Sequence, residues 1–487
     1  MSTPSTVHQS PPHVVVVGAG ISGLAAAQRL RARRPDVRIT VLEASGQIGG
    51  KLAQAQVGGI SVDTGAESLL NRRPEAVDLV RAVGLGDDVC YPVTTSASIW
   101  SRGALRPMPP TVLGVPTSVV ALARSGVLTR AGLARAVAEP ALPATVLDDD
   151  DVSVGGFVTR RLGRDASQRL LEPLLGGVYA GHADELSLQA AAPQVASLAA
   201  RGGSLLVAAA ATARARKDAA AVPVFAGIRG GVGRLPAAVA AASGAEVRTS
   251  TTVRELHRTA AGWSLVVGRA DAPTTVSADA VVLATPAPAS ARLLDHVAPR
   301  AAVDLREVEV ASVAVVTLAV PRASIPSELP GSGCLVPPVE GRAVKAATWS
   351  SRKWAWVAEA AGPDTVVLRC SFGRHRESAL LQRDDTQLVR LAVDELADAV
   401  GLRGQVSDAL VTRWGGGLPQ YAVGHAGRVE RVRQAVADIQ GLEVCGAPYE
   451  GIGVAACVAD AQRAADRLLT GLQASQDRRT EQATMDS

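Results

Sequence analysis

The chain has 487 residues, of which 47% are hydrophobic and 20% charged, and its formal net charge is +4. This length exceeds one compact core and predicts two or three domains. The charges are interspersed without a basic patch or arm, so a nucleic-acid partner is not expected.

The five cysteines are far apart and form no C-x-x-C pair, so neither a disulfide framework nor a protein metal site is predicted. The polar residues 1–12 do not have the pattern of a secretion signal. No run of about 18 apolar residues occurs, so no transmembrane segment is expected. These features predict a cytoplasmic protein.

The β-branched run at residues 14–17 predicts a buried parallel strand. A glycine-rich turn at 18–23 and a helical pattern through residue 32 follow, and a second strand at 37–42 ends in Glu43. This β-α-β unit predicts the start of a doubly wound domain.

From about residue 100 to 216 the sequence changes to Ala- and Leu-rich helical patterns separated by Pro and Gly. Within this part, the acidic run 148–151 before residues 156–162 is typical of a helix N-terminus. Further strands are predicted at 247–252, 263–267, 280–284, 308–320, 364–372 and 442–445, and further helices at 387–400 and about 456–469.

The turn Gly18-Ala-Gly20-Ile-Ser-Gly23 has the spacing G-x-G-x-x-G. Gly18 permits the tight turn, Gly20 lets a pyrophosphate approach the backbone, and Gly23 allows close packing of helix on strand. Glu43, twenty residues after Gly23, can accept hydrogen bonds from ribose hydroxyls and would repel a 2′-phosphate. The turn therefore predicts a dinucleotide site that disfavours NADP.

The segment Gly49-Gly50-Lys51 resembles the signature of FAD-binding amine-oxidase-type enzymes. Residues 63–68 also fit that family, in which they lie along the isoalloxazine ring, and residues 281–286 resemble its strand and turn under the dinucleotide. The chain has only four lysines but 46 arginines. A lysine that is retained despite this bias, such as Lys51, is therefore a candidate functional residue. It could meet a phosphate or a substrate carboxylate, or it could be a solvated surface lysine.

Residues 446–454 precede the last helix, whose N-terminus could direct N–H groups at the flavin N1–O2 edge and favour a reduced, anionic flavin. A surface loop is the alternative. The resemblance implies FAD as the cofactor. The predicted FAD-binding residues are Gly18, Ala19, Gly20, Ile21, Ser22, Gly23, Glu43, Ala44, Gly50, Lys51, Gly65, Ala66, Glu67, Ser68, Val253, Trp414, Gly446, Ile452, Gly453 and Val454.

The predicted fold class is α/β, with a Rossmann-type, amine-oxidase-like FAD-binding domain interleaved with an α+β substrate domain and a helical subdomain. The FAD-binding domain is predicted at residues 13–99, 226–298 and 426–471. The helical subdomain is predicted at 100–225 and the substrate-binding domain at 299–425. Residues 1–12 and 472–487 are predicted to be disordered tails.

Several further segments resemble the protoporphyrinogen and coproporphyrinogen oxidases of haem biosynthesis, and they occur in the family's order. They are residues 171–187, 225–236, 349–354, 371–375 and 413–425. The resemblance extends from about residue 14 to 469. In membrane-attached relatives the helical region docks on the bilayer; here it is Ala-rich and poor in aromatics, so at most weak peripheral membrane contact is expected.

The resemblance implies that a porphyrinogen loses three hydride equivalents to flavin N5, and that O₂ reoxidises the flavin to give H₂O₂. Gly177 lies where the family keeps a small residue close to the macrocycle, with Leu174 and Tyr179 beside it. Ordinary helix packing is the alternative for the last two residues. Lys51 is a further candidate substrate contact. No catalytic side chain is required, because the flavin carries the chemistry.

Mitochondrial-type members place a propionate-binding arginine where this chain has Ala97. Other cations could hold a propionate instead, although each could also be a solvated surface charge. They are Lys51, Arg72, Arg73, Arg102 and Arg106. This departure, together with the bacterial-looking composition, favours coproporphyrinogen III, converted to coproporphyrin III in haem b biosynthesis, over protoporphyrinogen IX. A transient contact with the next enzyme of the haem pathway is also possible.

Three other functions compete with this hypothesis. An amine oxidase would share the FAD motifs, but it uses an aromatic cage and usually a lysine near flavin N5; aromatics are 3% of this chain and the candidate strand at 312–320 has no lysine. A carotenoid desaturase would need a membrane-entry face richer in large apolar residues. A haem-pathway scaffold that binds FAD without turnover is the alternative outside enzymes.

The glycine motif gives a direct test. We expect Gly20→Glu to yield colourless, FAD-free protein, because the new carboxylate would stand where the pyrophosphate approaches the backbone. The absorbance spectrum of the purified variant measures this, and a yellow holoenzyme would contradict the assignment.

Overall fold

The computed structural model describes residues 11–144, 151–217 and 223–485. Its first sheet is parallel, and the strand His13–Val17 at its centre is buried at all five positions. Such burial on both faces explains the unbroken valine run, because a polar side chain there would lose its contact with water. The order across the sheet is Glu246–Arg248, Arg38–Leu42, His13–Val17, Ala280–Leu283, Leu442–Val444.

Different layers cover the two faces of this parallel sheet. Val14 and Val16 pack towards the helices Ile21–Arg33, Leu235–Ser243 and Val454–Met485. Val15 and Val17 belong to the core of the opposite face. That face is covered by the strands Val253–Thr259, Gly262–Arg269 and Ala272–Ala278 and by the helices Ala287–Leu294, Pro299–Arg306 and His425–Ala437. The predicted doubly wound domain is confirmed.

A second sheet has seven strands. Its order is Asp408–Pro419, Val310–Pro321, Thr365–Phe372, Val344–Thr348, Gly333–Leu335, Ser98–Ser101, Ala104–Pro107. The helix Asp385–Val400 covers one face, where alternate residues of the strands form a core. The other face is turned towards the FAD-type domain and the helical region.

The predicted boundary at residue 99 is wrong, because the hairpin at 98–107 belongs to the seven-stranded sheet. Ser98–Ser101 pairs in parallel with Gly333–Leu335, far away in the sequence. The segment is short, and its partner strand lies more than two hundred residues further on. Local patterns therefore could not reveal this pairing.

The helical region has its own apolar core. Its elements are Val119–Ser125, Arg130–Val137, Val154–Leu162, Arg164–Ala166, the π-helical turn Ser167–Leu171, Glu172–Tyr179, Leu188–Ala191, Pro193–Ala199 and Leu205–Lys217. Ser153 caps Val154–Leu162 by accepting a hydrogen bond from the Gly156 N–H. Asp151 instead accepts from the Gly424 N–H at 2.8 Å; the rest of the acidic run, 148–150, lies outside the described residues.

The remaining elements are short and connect these layers. The strands are Gln54–Val57, Ile60–Asp63, Leu69–Leu70, Val89–Cys90, Thr111–Val112, Val115–Pro116 and Phe225–Ile228. The helices are Pro74–Ala82, Ser350–Lys353 and Ala355–Ala361, besides several 3₁₀ turns.

The last helix continues to Met485 in the structure, whereas disorder of residues 472–487 stays a prediction. Ala, Gln, Arg and Glu in this segment are good helix formers, and an extension of an existing helix needs no new nucleus. Within the described ranges, no helix is long and apolar enough to cross a membrane.

Candidate active site

The glycine-rich turn has two crowded positions and one open position. Gly18 has φ +103°, and its N–H donates to the Leu42 carbonyl at 2.7 Å. A Cβ added to Gly23 would lie 1.9 Å from the Gly18 oxygen, whereas one added to Gly20 would meet nothing within 4 Å. Gly18 and Gly23 are therefore required by the fold, while Gly20 keeps space open at the start of the helix Ile21–Arg33.

Glu43 lies beside this turn, at the carboxyl end of the second strand. Its carboxylate accepts one hydrogen bond from the Ala19 N–H and one from the Ser45 N–H, both at 2.8 Å. A carboxylate has further acceptor positions for hydroxyl donors. The location fits the predicted ribose contact, which stays a prediction; Ala44 next to it is exposed.

A second loop crosses the first at Gly20. The Gly49 N–H donates to the Ala19 carbonyl at 2.8 Å, and a Cβ added to Gly50 would lie 3.3 Å from the Gly20 Cα. A side chain at Gly50 would therefore crowd the turn at Gly20. The two loops therefore form a cradle made largely of backbone, as a pyrophosphate needs.

Lys51 lies at the junction with the seven-stranded sheet. Its carbonyl accepts from the Ala66 N–H at 3.0 Å, and a Cβ added to Gly65 would lie 1.9 Å from that carbonyl oxygen. The Lys51 Cε is 3.3 Å from the position of a Cβ added to Gly417. Surrounding protein desolvates the ammonium group and lowers the pKa of Lys51, although the residue is exposed within the cleft.

Trp414, in the same sheet, is partly buried and donates from Nε1 to the Thr64 carbonyl at 3.3 Å. Val253 is buried at the start of its strand, and its carbonyl accepts from Arg292 Nη2 at 3.1 Å. The predicted cofactor contacts of both residues stay predictions.

The Glu67 carboxylate is bound by two cations from the seven-stranded sheet and its following helix. Lys353 Nζ is 2.5 Å from one oxygen, and Arg369 Nη1 is 2.7 Å from the other. Burial alone would raise the pKa of Glu67, but the two cations outweigh it and lower the pKa to about 2. The predicted Glu67 side chain is therefore occupied by ion pairs, which leaves its backbone for any cofactor contact.

The loop before the last helix is fixed by two side chains. The Asp460 carboxylate accepts from the Gly446 N–H at 2.9 Å. The Tyr421 hydroxyl donates to the Ala447 carbonyl and accepts from the Gly451 N–H, both at 2.6 Å. These bonds hold residues 446–453 ahead of the helix that starts at Val454.

The end of this loop is open. A Cβ added to Gly453 would meet nothing within 4 Å, and the helix Val454–Met485 begins directly after it. Ile452 and Val454 are partly exposed. The N–H groups of the first helical turn need acceptors from outside the helix, so this end suits a partly negative group.

Of the predicted substrate contacts, Gly177 is the one that is accessible to a ligand. It is exposed on the helix Glu172–Tyr179, and a Cβ added to it would lie 3.7 Å from the Leu335 Cδ2. Leu174 is partly buried. Tyr179 is buried with its ring 5.4 Å from that of Tyr421, which favours the packing alternative.

The arginines considered for propionates are engaged locally. Arg102 donates to the Leu128 carbonyl at 2.7 Å, Arg106 donates to the Ser101 carbonyl at 2.9 Å, and Arg73 pairs with Glu75. These guanidinium groups hold turns and a helix start in place. Arg72 is exposed.

Sequence patterns assigned no role to three side chains that the structure shows to be engaged here: Asp63, Lys353 and Arg369. Asp63 is buried and accepts from the N–H groups of Val232 and Gly233 at 2.9 and 2.8 Å, and burial raises its pKa to about 6 despite these bonds. It joins the segment at 63–68 to the turn at 231–233. The rarity of lysine in this chain is the one sequence feature that could have pointed to Lys353.

Together, the two crossing loops, the carboxylate at the second strand and the helix end at Val454 define a flavoprotein of the two-dinucleotide-fold type, with a cleft below a second domain. The residues fit FAD because the open positions Gly20 and Gly453 lie where the backbone must approach a ligand.

The family model for flavin-containing amine oxidoreductases matches residues 21–469. A coproporphyrinogen III oxidase of Mycobacterium tuberculosis is 38% identical over 96% of this chain and 99% of its own length. One of Bacillus subtilis is 30% identical over 94% and 98%. A solved structure from Exiguobacterium, provisionally named a protoporphyrinogen oxidase, has a TM-score of 0.83 and 30% identity, and the match covers 96% of this chain and 100% of that one.

The chain belongs to the flavin-containing amine oxidoreductase family. It is an FAD-dependent oxidoreductase, and the cofactor predicted from Gly49-Gly50-Lys51 is confirmed.

The Glu67 triad predicts a pH-dependent stability. Glu67→Gln removes the charge that Lys353 and Arg369 surround, and we expect a loss on the order of 3 kcal/mol at pH 7. Because the folded pKa lies below the ordinary value of 4.5, the difference from wild type should narrow as the pH falls below about 5. Denaturant unfolding at pH 7 and at lower pH measures it.

Asp271→Asn is the matched control for that variant, because Asp271 and Arg269 form a solvent-exposed pair. It should leave stability unchanged. A Glu67→Gln penalty that is the same at all pH values would contradict the ion-pair explanation.

The Tyr421 hydroxyl predicts an effect on cofactor affinity. Tyr421→Phe leaves the Ala447 carbonyl and the Gly451 N–H without their partner, so we expect FAD to dissociate roughly 10-fold more readily, at about 1–2 kcal/mol. Titration of apoprotein with FAD measures this. The exposed Tyr91 provides the control, and Tyr91→Phe should bind FAD as the wild type does. Equal FAD affinities in the wild type and both variants would show that the two hydrogen bonds of Tyr421 do not affect cofactor binding.

Proposed function

We propose that this chain oxidises coproporphyrinogen III to coproporphyrin III in haem b biosynthesis, with O₂ as acceptor and H₂O₂ as product. The observation that carries the proposal is near-full-length similarity to proteins named coproporphyrinogen III oxidase, at 38% identity for the mycobacterial relative. The similarity covers 96% of this chain and 99% of the relative, so it is not limited to the flavin-binding segments.

The geometry of the cleft supports a flat, largely apolar substrate. Gly177 is exposed and presents no side chain, and Leu335 lies next to it, so a flat ring could stack against these two residues. When bound, FAD supplies the chemistry by accepting hydride equivalents from substrate carbon atoms. The chain's own residues then have to position the ring and exclude water.

Two groups near the loops can stabilise negative charge. Lys51 lies in the cleft beside Gly417, and the first turn of the helix Val454–Met485 has unpaired N–H donors. The lowered pKa of Lys51 means that its ammonium group loses its proton more easily than an exposed lysine does. A carboxylate or phosphate next to it would reverse that effect.

Protoporphyrinogen IX is the second candidate substrate, because the Exiguobacterium structure carries the provisional name of a protoporphyrinogen oxidase. We also propose a cytoplasmic location and a transient contact with the next enzyme of the pathway.

Comparison of kcat/KM for coproporphyrinogen III and protoporphyrinogen IX with purified holoenzyme tests the proposal. We expect steady aerobic formation of fluorescent porphyrin, H₂O₂ release and a clear preference for coproporphyrinogen III. A preference for protoporphyrinogen IX would overturn the choice of substrate. Oxidation of benzylamine or polyamines in place of either would revive the amine oxidase hypothesis, and an FAD-loaded protein without turnover would indicate a scaffold.

A further inference from the structure

Two buried cations lie beside the contact between Gly177 and Leu335. Lys345 is 4% exposed and Arg374 is 6% exposed. The residue after Leu335 joins them: the Val336 N–H donates to the Lys345 carbonyl at 2.9 Å, and the Val336 carbonyl accepts from Arg374 Nη2 at 3.2 Å. Arg374 is thus bonded through its side chain, and Lys345 through its main-chain carbonyl, to the residue that follows Leu335.

Lys345 occupies an irregular position in its strand. Val344 pairs with Phe372 and Ala346 with Ser371, so Lys345 has no partner residue in the neighbouring strand. A bulge of this kind redirects a side chain away from the regular alternation of a strand and is frequent next to active sites. The helix Glu172–Tyr179, which carries Gly177, packs on this same strand.

The charges here are not balanced. Within the described ranges, no carboxylate lies within ion-pairing distance of Lys345, and burial together with the charge of Arg374 lowers the pKa of Lys345 to about 7. Arg374 has Glu377 at 3.7 Å, and that carboxylate is half exposed. A buried cation without a counter-ion destabilises the folded protein. An anionic ligand that binds here would supply the missing counter-charge.

Other carboxylates around Arg374 are already engaged. Glu172 accepts from the Ala183 N–H at 2.9 Å and contacts His182 at 3.3 Å. Glu395 accepts from the N–H groups of Ala343 and Val344 at 2.7 and 3.2 Å. Both carboxylates therefore already have hydrogen-bond partners.

We propose that Lys345 and Arg374 bind a peripheral carboxylate of the tetrapyrrole substrate. A ring that stacks against Gly177 and Leu335 would place a propionate arm at its edge, next to the backbone of Val336. An ammonium and a guanidinium group together offer several charged donors to the two oxygens of such a carboxylate. The inference rests on the proposed function for the identity of the ligand.

Binding to holoenzyme tests the pair without requiring turnover. The probes are coproporphyrin III and its tetramethyl ester, which has the same ring without free carboxylates, followed by porphyrin fluorescence. We expect Lys345→Met to weaken binding of coproporphyrin III on the order of 10- to 100-fold and to leave binding of the ester unchanged. Lys345→Arg keeps the charge and should retain most of the affinity.

Arg269→Met is the matched control, since it removes a surface cation on the hairpin Gly262–Arg269 to Ala272–Ala278; it should bind both probes as the wild type does. Lys345→Met should melt at the wild-type temperature or above, because it removes an uncompensated buried charge. An unchanged affinity for coproporphyrin III in Lys345→Met overturns the proposal. Equal losses for acid and ester together with a lower melting temperature also overturn it, because they indicate a purely structural lysine.

The pH profile gives a second readout. Lys345 must be protonated to attract a carboxylate. The part of kcat/KM that depends on the charged Lys345 is therefore present below about pH 7 and is lost as the pH rises through that value. Lys345→Met should lack this decline, and an identical decline in that variant would count against the proposal. A wild-type protein that binds coproporphyrin III without oxidising coproporphyrinogen III would refute the proposed function and leave the carboxylate site standing.

Discussion

The buried Glu67 carboxylate between Lys353 and Arg369 is the interaction on which the arrangement of the two domains depends. Glu67 belongs to the segment that the family places along the flavin, while Arg369 is in the seven-stranded sheet and Lys353 ends the short helix Ser350–Lys353. Arg369 also donates to the Gly65 carbonyl at 2.6 Å. Breaking a buried pair of this type leaves uncompensated charge, so these bonds resist separation of the segment at 63–68 from the seven-stranded sheet.

The cradle for the dinucleotide consists largely of backbone, and carboxylates and hydroxyls hold that backbone in place. Asp63 fixes the turn at 231–233, Asp460 fixes Gly446, and Tyr421 binds residues 447 and 451. Each of these side chains satisfies N–H groups that would otherwise be buried without a partner. The ligand therefore meets a preorganised surface, which reduces the entropy lost on binding.

Charge in the cleft is distributed unevenly. Glu67 is paired with two cations, whereas Lys345 has no ion-pair partner among the described residues and Arg374 has a distant one. Lys51 lies near the flavin loops, and desolvation weakens its hold on the proton. Buried cations beside the exposed Gly177 suit a flat substrate that carries carboxylates at its edge, which is consistent with the proposed substrate class.

The sequence by itself determined the cofactor domain. The spacing of Gly18, Gly20 and Gly23, the carboxylate at Glu43 and the valine run at 14–17 follow from local steric and burial requirements, so they could be recognised without the fold. The tertiary structure alone decided the hairpin at 98–107, the buried role of Tyr179, the triad at Glu67 and the pair at Lys345 and Arg374. Each of these depends on groups far apart in the chain, and a residue's partners, burial and pKa are properties of the assembled environment that no local pattern contains.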